Sequence, residues 1–216
     1  MRSAGGFSLI ELMVAMAIAL TVLGAASFVL THQLSHGQRL LAETRLHAQA
    51  SALLERMARD LRRAGYREHE QASADFDLRL PATGCLLYSY DRYADGVASA
   101  NERFGFKWQR VDGVGVLRMR KSSAGLADCA EGSWETLSDP ASLEVTSLEF
   151  VALDQACYDM ASATRRPCPP RAGAGERLRV LRELEIRLQA QDRARSLPPV
   201  ALTARVALPV APLLPE

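Results

Sequence analysis

The stretch GFSLIELMVAMAIAL, from Gly6 to Leu20, decides how the rest of the chain is interpreted. It belongs to an apolar run, residues 7–30, in which Glu11 is the one ionisable side chain. Such a run is long enough to cross a hydrocarbon core of roughly 30 Å as a helix. A carboxylate near the middle of a membrane span costs about 2.5–3.5 kcal/mol, and less near its end. Glu11 therefore indicates a function that requires a partner for its charge.

Two ordinary interpretations of this segment compete. A secretory signal peptide would use the small residues Gly24 and Ala26 as its cleavage site, and a simple membrane anchor would not be cut at all. The basic region before the apolar run is thin, because it contains only Arg2 and the terminal amine. Neither interpretation explains why Glu11 lies inside the apolar run.

A third interpretation supplies the partner. The residues Gly6-Phe7-Ser8-Leu9-Ile10-Glu11 resemble the cleavage motif of type IV prepilins and their secretion-system relatives. The resemblance implies that prepilin peptidase removes the leader, residues 1–6, by cutting between Gly6 and Phe7, and that it methylates the new amino terminus at Phe7. Glu11 would then neutralise the terminal amine of a neighbouring subunit. At about 4 Å and an effective dielectric constant near 20 this attraction reaches roughly 4 kcal/mol before desolvation is subtracted.

The resemblance also implies partners and a location. The expected partners are prepilin peptidase, other minor and major pilins, the inner-membrane pilus assembly platform, inner-membrane lipid and a tip adhesin. The chain would cross the inner membrane once, with its head in the periplasm, and enter the pilus after assembly. No direct contact with nucleic acid is expected, since 26 basic and 25 acidic residues nearly cancel.

One long helix is predicted from about residue 7 to residue 64. No proline interrupts it, and its only glycines are Gly24 and Gly37. Residues 7–30 form the transmembrane or filament-core part, and residues 31–66 an amphipathic part that packs on the head. Its predicted apolar stripe recurs at steps of three and four residues: Leu46, Ala50, Leu53, Met57, Leu61 and Ala64. A coiled coil and a solvated linker helix are the alternatives for this stripe.

The helix is expected to end at Gly65 in a left-handed conformation. Its charged residues are assigned to faces away from the stripe: Arg45, Glu55, Arg59, Asp60, Arg62 and Arg63. The run Asp60-Leu61-Arg62-Arg63-Ala64-Gly65-Tyr66 resembles the helix exit of the PilW-like minor pilins.

Residues 67–216 are predicted to form a β-rich head, so the fold class is α+β. The resemblance implies that this head is periplasmic and that the fold is type IV pilin-like, with the helix packed on an antiparallel sheet. Phe104, Phe106 and Trp108 alternate with Gly105 and Lys107, which predicts a half-buried strand. The turn at Asp112-Gly113 then predicts a hairpin with residues 114–120. Strands are also predicted at residues 86–90 and 142–153, with loops at 68–74 and 91–102. Residues 177–191 fit a helix or a strand; a strand is preferred because residues 202–208 alternate after Pro198-Pro199 and would pair with it. Pro209–Glu216 is expected to be a loose tail.

The four cysteines are Cys85, Cys129, Cys157 and Cys168, and they contain no C-x-x-C pair. This spacing is poor for zinc and compatible with two disulfides in an oxidising compartment. Three connectivities are possible, and Cys85–Cys129 with Cys157–Cys168 is favoured because prolines flank a short loop between the last two. Four reduced thiols are the alternative.

The sequence contains no catalytic motif, so no catalytic residue, metal or cofactor is expected. His32 and His36 share a helix face, yet no third ligand is evident, and solvated histidines are the preferred interpretation. Asp91 and Asp95-Gly96 weakly match a calcium loop, but the regular alternation of oxygen ligands is missing, and a polar loop is preferred. Gly113-Val114-Gly115 is not a phosphate-binding loop, because no helix follows.

These observations predict a minor type IV pilin, PilW-like, that takes part in pilus initiation in a tip or priming complex. A type II secretion pseudopilin of the GspJ kind is the alternative within the superfamily. A membrane-anchored periplasmic binding domain that never polymerises is the alternative from another class.

Overall fold

A computed structural model describes residues 8–68, 76–153, 155–169, 173, 176, 178–209 and 211–212. The chain divides into two compact units, Met1–Arg45 and Leu46–Glu216, which are described separately below. The cleavage-site residues Gly6 and Phe7 and most of the loop predicted at residues 68–74 lie outside the described residues.

The described elements are one α-helix, twelve strands and a short 3-10 turn, Ala100–Glu102. Helix α1 runs from Leu9 to Leu61. The strands are β1 Leu78–Ala82, β2 Cys85–Ser89, β3 Arg103–Val111, β4 Val114–Ser122, β5 Ser133–Thr136, β6 Leu143–Ala152, β7 Ala156–Asp159, β8 Thr164–Pro167, β9 Leu178–Leu181, β10 Glu183–Asp192, β11 Val200–Ala207 and β12 Ala211–Pro212.

The strands form three sheets, and every described pairing between them is antiparallel. The first sheet has the order β1-β2-β3-β4-β5, the second β11-β10-β6 and the third β12-β9-β7-β8. The predicted α+β class, with a long amino-terminal helix and antiparallel sheets, is confirmed.

The main core lies where the carboxyl-terminal part of α1 meets the first two sheets. The helix contributes one buried stripe to this core. The first sheet contributes aromatic and aliphatic side chains, and the second sheet contributes aliphatic ones. The central members of the core are Leu46, Ala50, Leu54, Met57, Leu61, Leu86, Tyr88, Phe106, Leu117, Val145, Ile186 and Leu188. Burial along the helix therefore begins at Leu46. The predicted stripe is correct except that Leu54 and Ala58 are buried and Leu53 only half-buried.

The helix exit differs from the prediction in two respects. The helix ends at Leu61 rather than Ala64, and a turn covers residues 62–65. The sequence predicts Asp60 on a face away from the stripe, but Asp60 is only 8% exposed, and its carboxylate accepts hydrogen bonds from Arg56 Nε at 3.0 Å and Arg63 Nη2 at 2.9 Å. Gly65 has φ +80°, as predicted, and its N–H donates to the Ser89 carbonyl at 2.7 Å.

The strand predictions are largely correct. Val111 pairs with Val114 around Asp112-Gly113, which closes the predicted hairpin of β3 and β4. The ambiguous region is strand, β9 and β10, and β10 pairs with β11 as expected. The sequence did not predict β1, β5, β7, β8 or β12. The loose-tail prediction is wrong for Ala211–Pro212, which pairs with β9, whereas residues 210 and 213–216 lie outside the described residues.

Candidate functional site

The described amino-terminal residues begin one residue after the predicted cleavage site. Glu11 lies in the first turn of α1, is exposed, and accepts a hydrogen bond from the Ser8 N–H to Oε2 at 3.3 Å. A carboxylate at this position satisfies one of the free N–H groups of the helix start and interacts favourably with the helix dipole. Because the contact is long and exposed, the Glu11 carboxylate retains capacity to accept a further, charged donor.

The amino-terminal part of α1 presents an apolar surface. Its large apolar side chains are each more than half exposed: Leu9, Ile10, Leu12, Met13, Val14, Met16, Ile18, Leu20, Val22, Leu23, Phe28, Val29, Leu30 and Leu34. Within the described residues, α1 is long and apolar enough to cross a membrane. A contiguous apolar surface of this extent marks a membrane or protein interface.

The two threonine hydroxyl groups in this segment donate to carbonyls of the helix itself. Thr21 Oγ1 donates to the Ile18 carbonyl at 2.8 Å, and Thr31 Oγ1 reaches the Ser27 and Phe28 carbonyls at 3.0 and 2.9 Å. These side chains therefore need no water, which suits a helix surrounded by lipid or by other helices.

His32 and His36 follow the apolar segment directly. Both side chains are exposed, and their Nε2 atoms lie 3.1 Å apart. The sequence placed them on one face, and the structure brings their ring nitrogens together.

The head contains a cleft of about 680 Å³ between the end of α1 and the first sheet. Its aromatic floor includes Tyr88, Tyr90 and Phe104, with ring centroids 5.0–6.5 Å apart. Arg63 lies over the Tyr90 ring, 5.0 Å from its centroid, and forms one wall together with Asp60. Burial, followed by the nearby Asp60 carboxylate, raises the pKa of Tyr88 well above its usual value.

Five ionisable groups that line this cleft are engaged in ion pairs. Asp60 is shared by Arg56 and Arg63, and Lys121 Nζ lies 2.6 Å from Glu135. The sequence predicted the left-handed end of the helix at Gly65, but it did not predict the cleft, because the cleft forms only where the end of α1 packs against the first sheet.

Three carboxylates, of Asp91, Asp95 and Glu102, approach within 4.8 Å of one another beside this cleft. The buried Glu102 accepts backbone N–H groups from Arg92 at 2.7 Å and Ser99 at 2.9 Å, among others. Burial acts to raise the pKa of Glu102, but these hydrogen bonds outweigh it, and the net pKa is lowered. The Asp91 carboxylate oxygens likewise accept hydrogen bonds from the backbone N–H groups of Asp95 and Gly96. The cluster thus organises its own loop, and its three carboxylates also lie close enough together to bind one metal ion.

The opposite face of the first sheet carries a disulfide-anchored loop. Cys85 is bonded to Cys129, and Lys107 Nζ donates to the Cys129 carbonyl at 3.0 Å while lying 4.2 Å from the Trp134 ring centroid. The fully buried Arg120 donates to the Phe104 carbonyl at 3.1 Å, and burial lowers its pKa to about 10. Nothing in the local sequence distinguished Arg120.

The second disulfide joins Cys157 to Cys168 in the third sheet, with Cα atoms 4.8 Å apart. Both bonds follow the connectivity that the sequence favoured, and the described residues contain no free cysteine. The described elements therefore agree with a head that folds in an oxidising compartment.

Comparisons with known proteins now bear on this arrangement. The family model described as prepilin peptidase-dependent protein B matches residues 39–208, more than three quarters of the chain. The model of the prokaryotic N-terminal methylation motif matches residues 1–27. Searches of the curated proteins and of the solved structures returned no significant match.

Proposed function

The chain belongs to the family of prepilin peptidase-dependent protein B, and from this premise we propose that it acts as a minor type IV pilin, PilW-like, in pilus initiation. It is a pilin-like structural component carrying a prepilin methylation motif, and not an enzyme. The observation that carries the proposal is the motif at Gly6–Glu11 joined without interruption to an exposed apolar helix. The PilW-like assignment itself rests on the helix exit at residues 60–66.

Processing is proposed at the bond between Gly6 and Phe7, with methylation of the Phe7 amine. Glycine leaves the peptidase site unobstructed, since it has no side chain. The cut creates a cationic amine at the edge of an apolar surface, where a charge without a partner is costly. The methylation-motif match over residues 1–27 supports this step.

Glu11 is proposed to receive that amine from a neighbouring subunit. In the single chain its carboxylate has only the Ser8 N–H, at 3.3 Å and exposed to solvent. Inside a bundle of apolar helices the Glu11 carboxylate and the ammonium of a neighbouring subunit would both be removed from water. The effective dielectric constant is lower there, so the electrostatic attraction between the two charges is stronger. The pair would select one axial position of each helix relative to its neighbours, which is a requirement for a regular filament.

The proposal also gives a location to the apolar segment and to the head. The apolar segment of this membrane-anchored pilin lies in the inner membrane before assembly and in the filament core afterwards. The head is proposed to lie in the periplasm, where two disulfides are expected to persist. The proposed partners are prepilin peptidase, the assembly platform, and other minor and major pilins, with a tip adhesin as a further one.

A type II secretion pseudopilin, GspJ-like, is the second candidate, because it would use the same amino-terminal device and a similar head. The genes beside the coding sequence distinguish the two. A membrane-anchored binding domain that does not polymerise is the third, and it predicts that Glu11 is dispensable.

The test compares Glu11→Ala with Glu43→Ala, a control on the same helix whose carboxylate is paired with Arg39 at 3.2 Å. Mass spectrometry should find both variants processed at Gly6, and electron microscopy should show surface filaments for Glu43→Ala but few for Glu11→Ala. Gly6→Val should retain the leader. Filaments in normal number with Glu11→Ala would refute the assembly role.

A further inference from the structure

His32 and His36 are one helical turn apart, immediately beyond the apolar segment of α1. Residues four apart face the same side of a helix, and here the two Nε2 atoms lie 3.1 Å apart with both side chains exposed. The Phe28 ring stacks on that of His32, with an interplanar angle of 8° and centroids 6.3 Å apart. The preceding turn thus helps to orient the imidazole.

This separation meets the geometric requirement of a chelating pair. Metal–nitrogen bonds to histidine are about 2.0–2.1 Å long. Two nitrogens 3.1 Å apart, each bonded to one ion at that length, subtend an angle of about 95–102° at the ion. The value lies between the octahedral and tetrahedral angles, so the distance between the two nitrogens suits a single bound ion once the imidazole rings, now at 72° to each other, turn toward it.

We propose that His32 and His36 form a binding site for a borderline divalent transition metal, such as Zn²⁺, Ni²⁺ or Cu²⁺. Neutral imidazole nitrogens prefer this class of ion, whereas Ca²⁺ and Mg²⁺ prefer oxygen. Both histidine side chains are exposed, so an ion in solution can reach them.

The site has a structural consequence for α1. Gly37 has the poorest helix propensity in this stretch, so its turn is the place where the helix opens most readily. An ion bound by His32 and His36 binds the helical form of that turn and not the unwound form, so it shifts the local equilibrium toward helix. The metal therefore acts as a clamp on the turn that follows the apolar segment. This inference does not depend on the proposed function.

The experiment titrates Zn²⁺ into the full chain in detergent micelles by isothermal calorimetry. The variants are His32→Ala, His36→Ala and, as the matched control, His47→Ala; His47 lies on the same helix, and its Nδ1 contacts Ser51 Oγ at 3.3 Å rather than another histidine. The wild-type chain and His47→Ala should bind Zn²⁺ equally. His32→Ala and His36→Ala should bind it roughly tenfold or more weakly.

Hydrogen exchange provides the second measurement. Zn²⁺ should slow amide exchange in residues 32–37 of the wild-type chain and of His47→Ala, and leave both other variants unchanged. The proposal is overturned if the wild-type chain binds no Zn²⁺, if His32→Ala and His36→Ala bind it as the wild type does, or if Zn²⁺ leaves the exchange of residues 32–37 unaltered. In the first case the 3.1 Å contact is only a hydrogen bond between two imidazoles.

Discussion

Removing each disulfide in turn should destabilise the head by different amounts. The two bonds are matched in their surroundings, because each joins one buried and one half-buried cysteine. They differ in the length of chain they close, which is 44 residues for Cys85–Cys129 and 11 for Cys157–Cys168. The paired variants Cys85→Ala/Cys129→Ala and Cys157→Ala/Cys168→Ala leave no unpaired thiol.

The magnitude follows from the entropy that a cross-link removes from the unfolded chain. With the loop lengths above, the chain-entropy relation gives about 4.0 kcal/mol for the long loop and about 2.8 kcal/mol for the short one at 25 °C. Losses due to the deleted sulfur atoms are similar in the two variants and largely cancel. The difference of about 1.2 kcal/mol is therefore the sharper prediction.

Urea unfolding in detergent measures this difference, with the fluorescence of Trp108 and Trp134 reporting on the first sheet. The wild type should be the most stable, the variant without Cys157–Cys168 intermediate, and the variant without Cys85–Cys129 the least stable. Equal stabilities of the two variants, or the reverse order, would refute the reasoning from loop length.

Three further predictions concern the head. Gly115→Ala should lower the free energy of unfolding by about 1–3 kcal/mol, since its Cβ would overlap a carbonyl oxygen of β6. Gly125→Ala, whose added Cβ would make only ordinary contacts at 3.9 Å or more, should have little effect in the same urea assay. Asp60→Ala should cost about 1–3 kcal/mol, but Glu55→Ala, from an exposed pair, less than about 1 kcal/mol; equal losses would contradict the buried bridge. Because the pKa of Glu102 is lowered in the fold, its contribution is complete above the ordinary carboxyl pKa of about 4.3 and is lost as pH falls through the folded pKa. Melting temperature should therefore fall less steeply on acidification in Glu102→Gln, and an unchanged slope would contradict this.

Much of the fold could be predicted where the pattern is local and strong. The residue types around Leu184, Ile186 and Leu188 favour a helix, but their alternation favours a strand whose alternate side chains face one core. In the structure all three are buried, and β10 pairs with β11 as the matching alternation requires. The left-handed Gly65 likewise follows from a local rule about helix ends.

Other features depend on what lies across the molecule, which the local sequence does not encode. The sequence of strand β8, Thr164–Pro167, is typical of a loop. It is a strand because it pairs with β7, which contains Cys157, and the Cys157–Cys168 disulfide joins the two segments. Asp60 reads as a surface residue, but two arginines and the neighbouring sheet enclose it. Gly115 is required because β4 approaches β6, a contact between strands far apart in sequence. The His32–His36 pair was visible as spacing, yet the 3.1 Å separation of its nitrogens required the structure.

The most direct test of the central claim is the intact mass and amino-terminal sequence of the chain isolated from cells with an active prepilin peptidase. The account predicts that the chain begins at Phe7 and carries a methyl group on its terminal amine. A chain that retains residues 1–6, or one that begins at Ser27 as a secretory signal would leave it, would contradict the account.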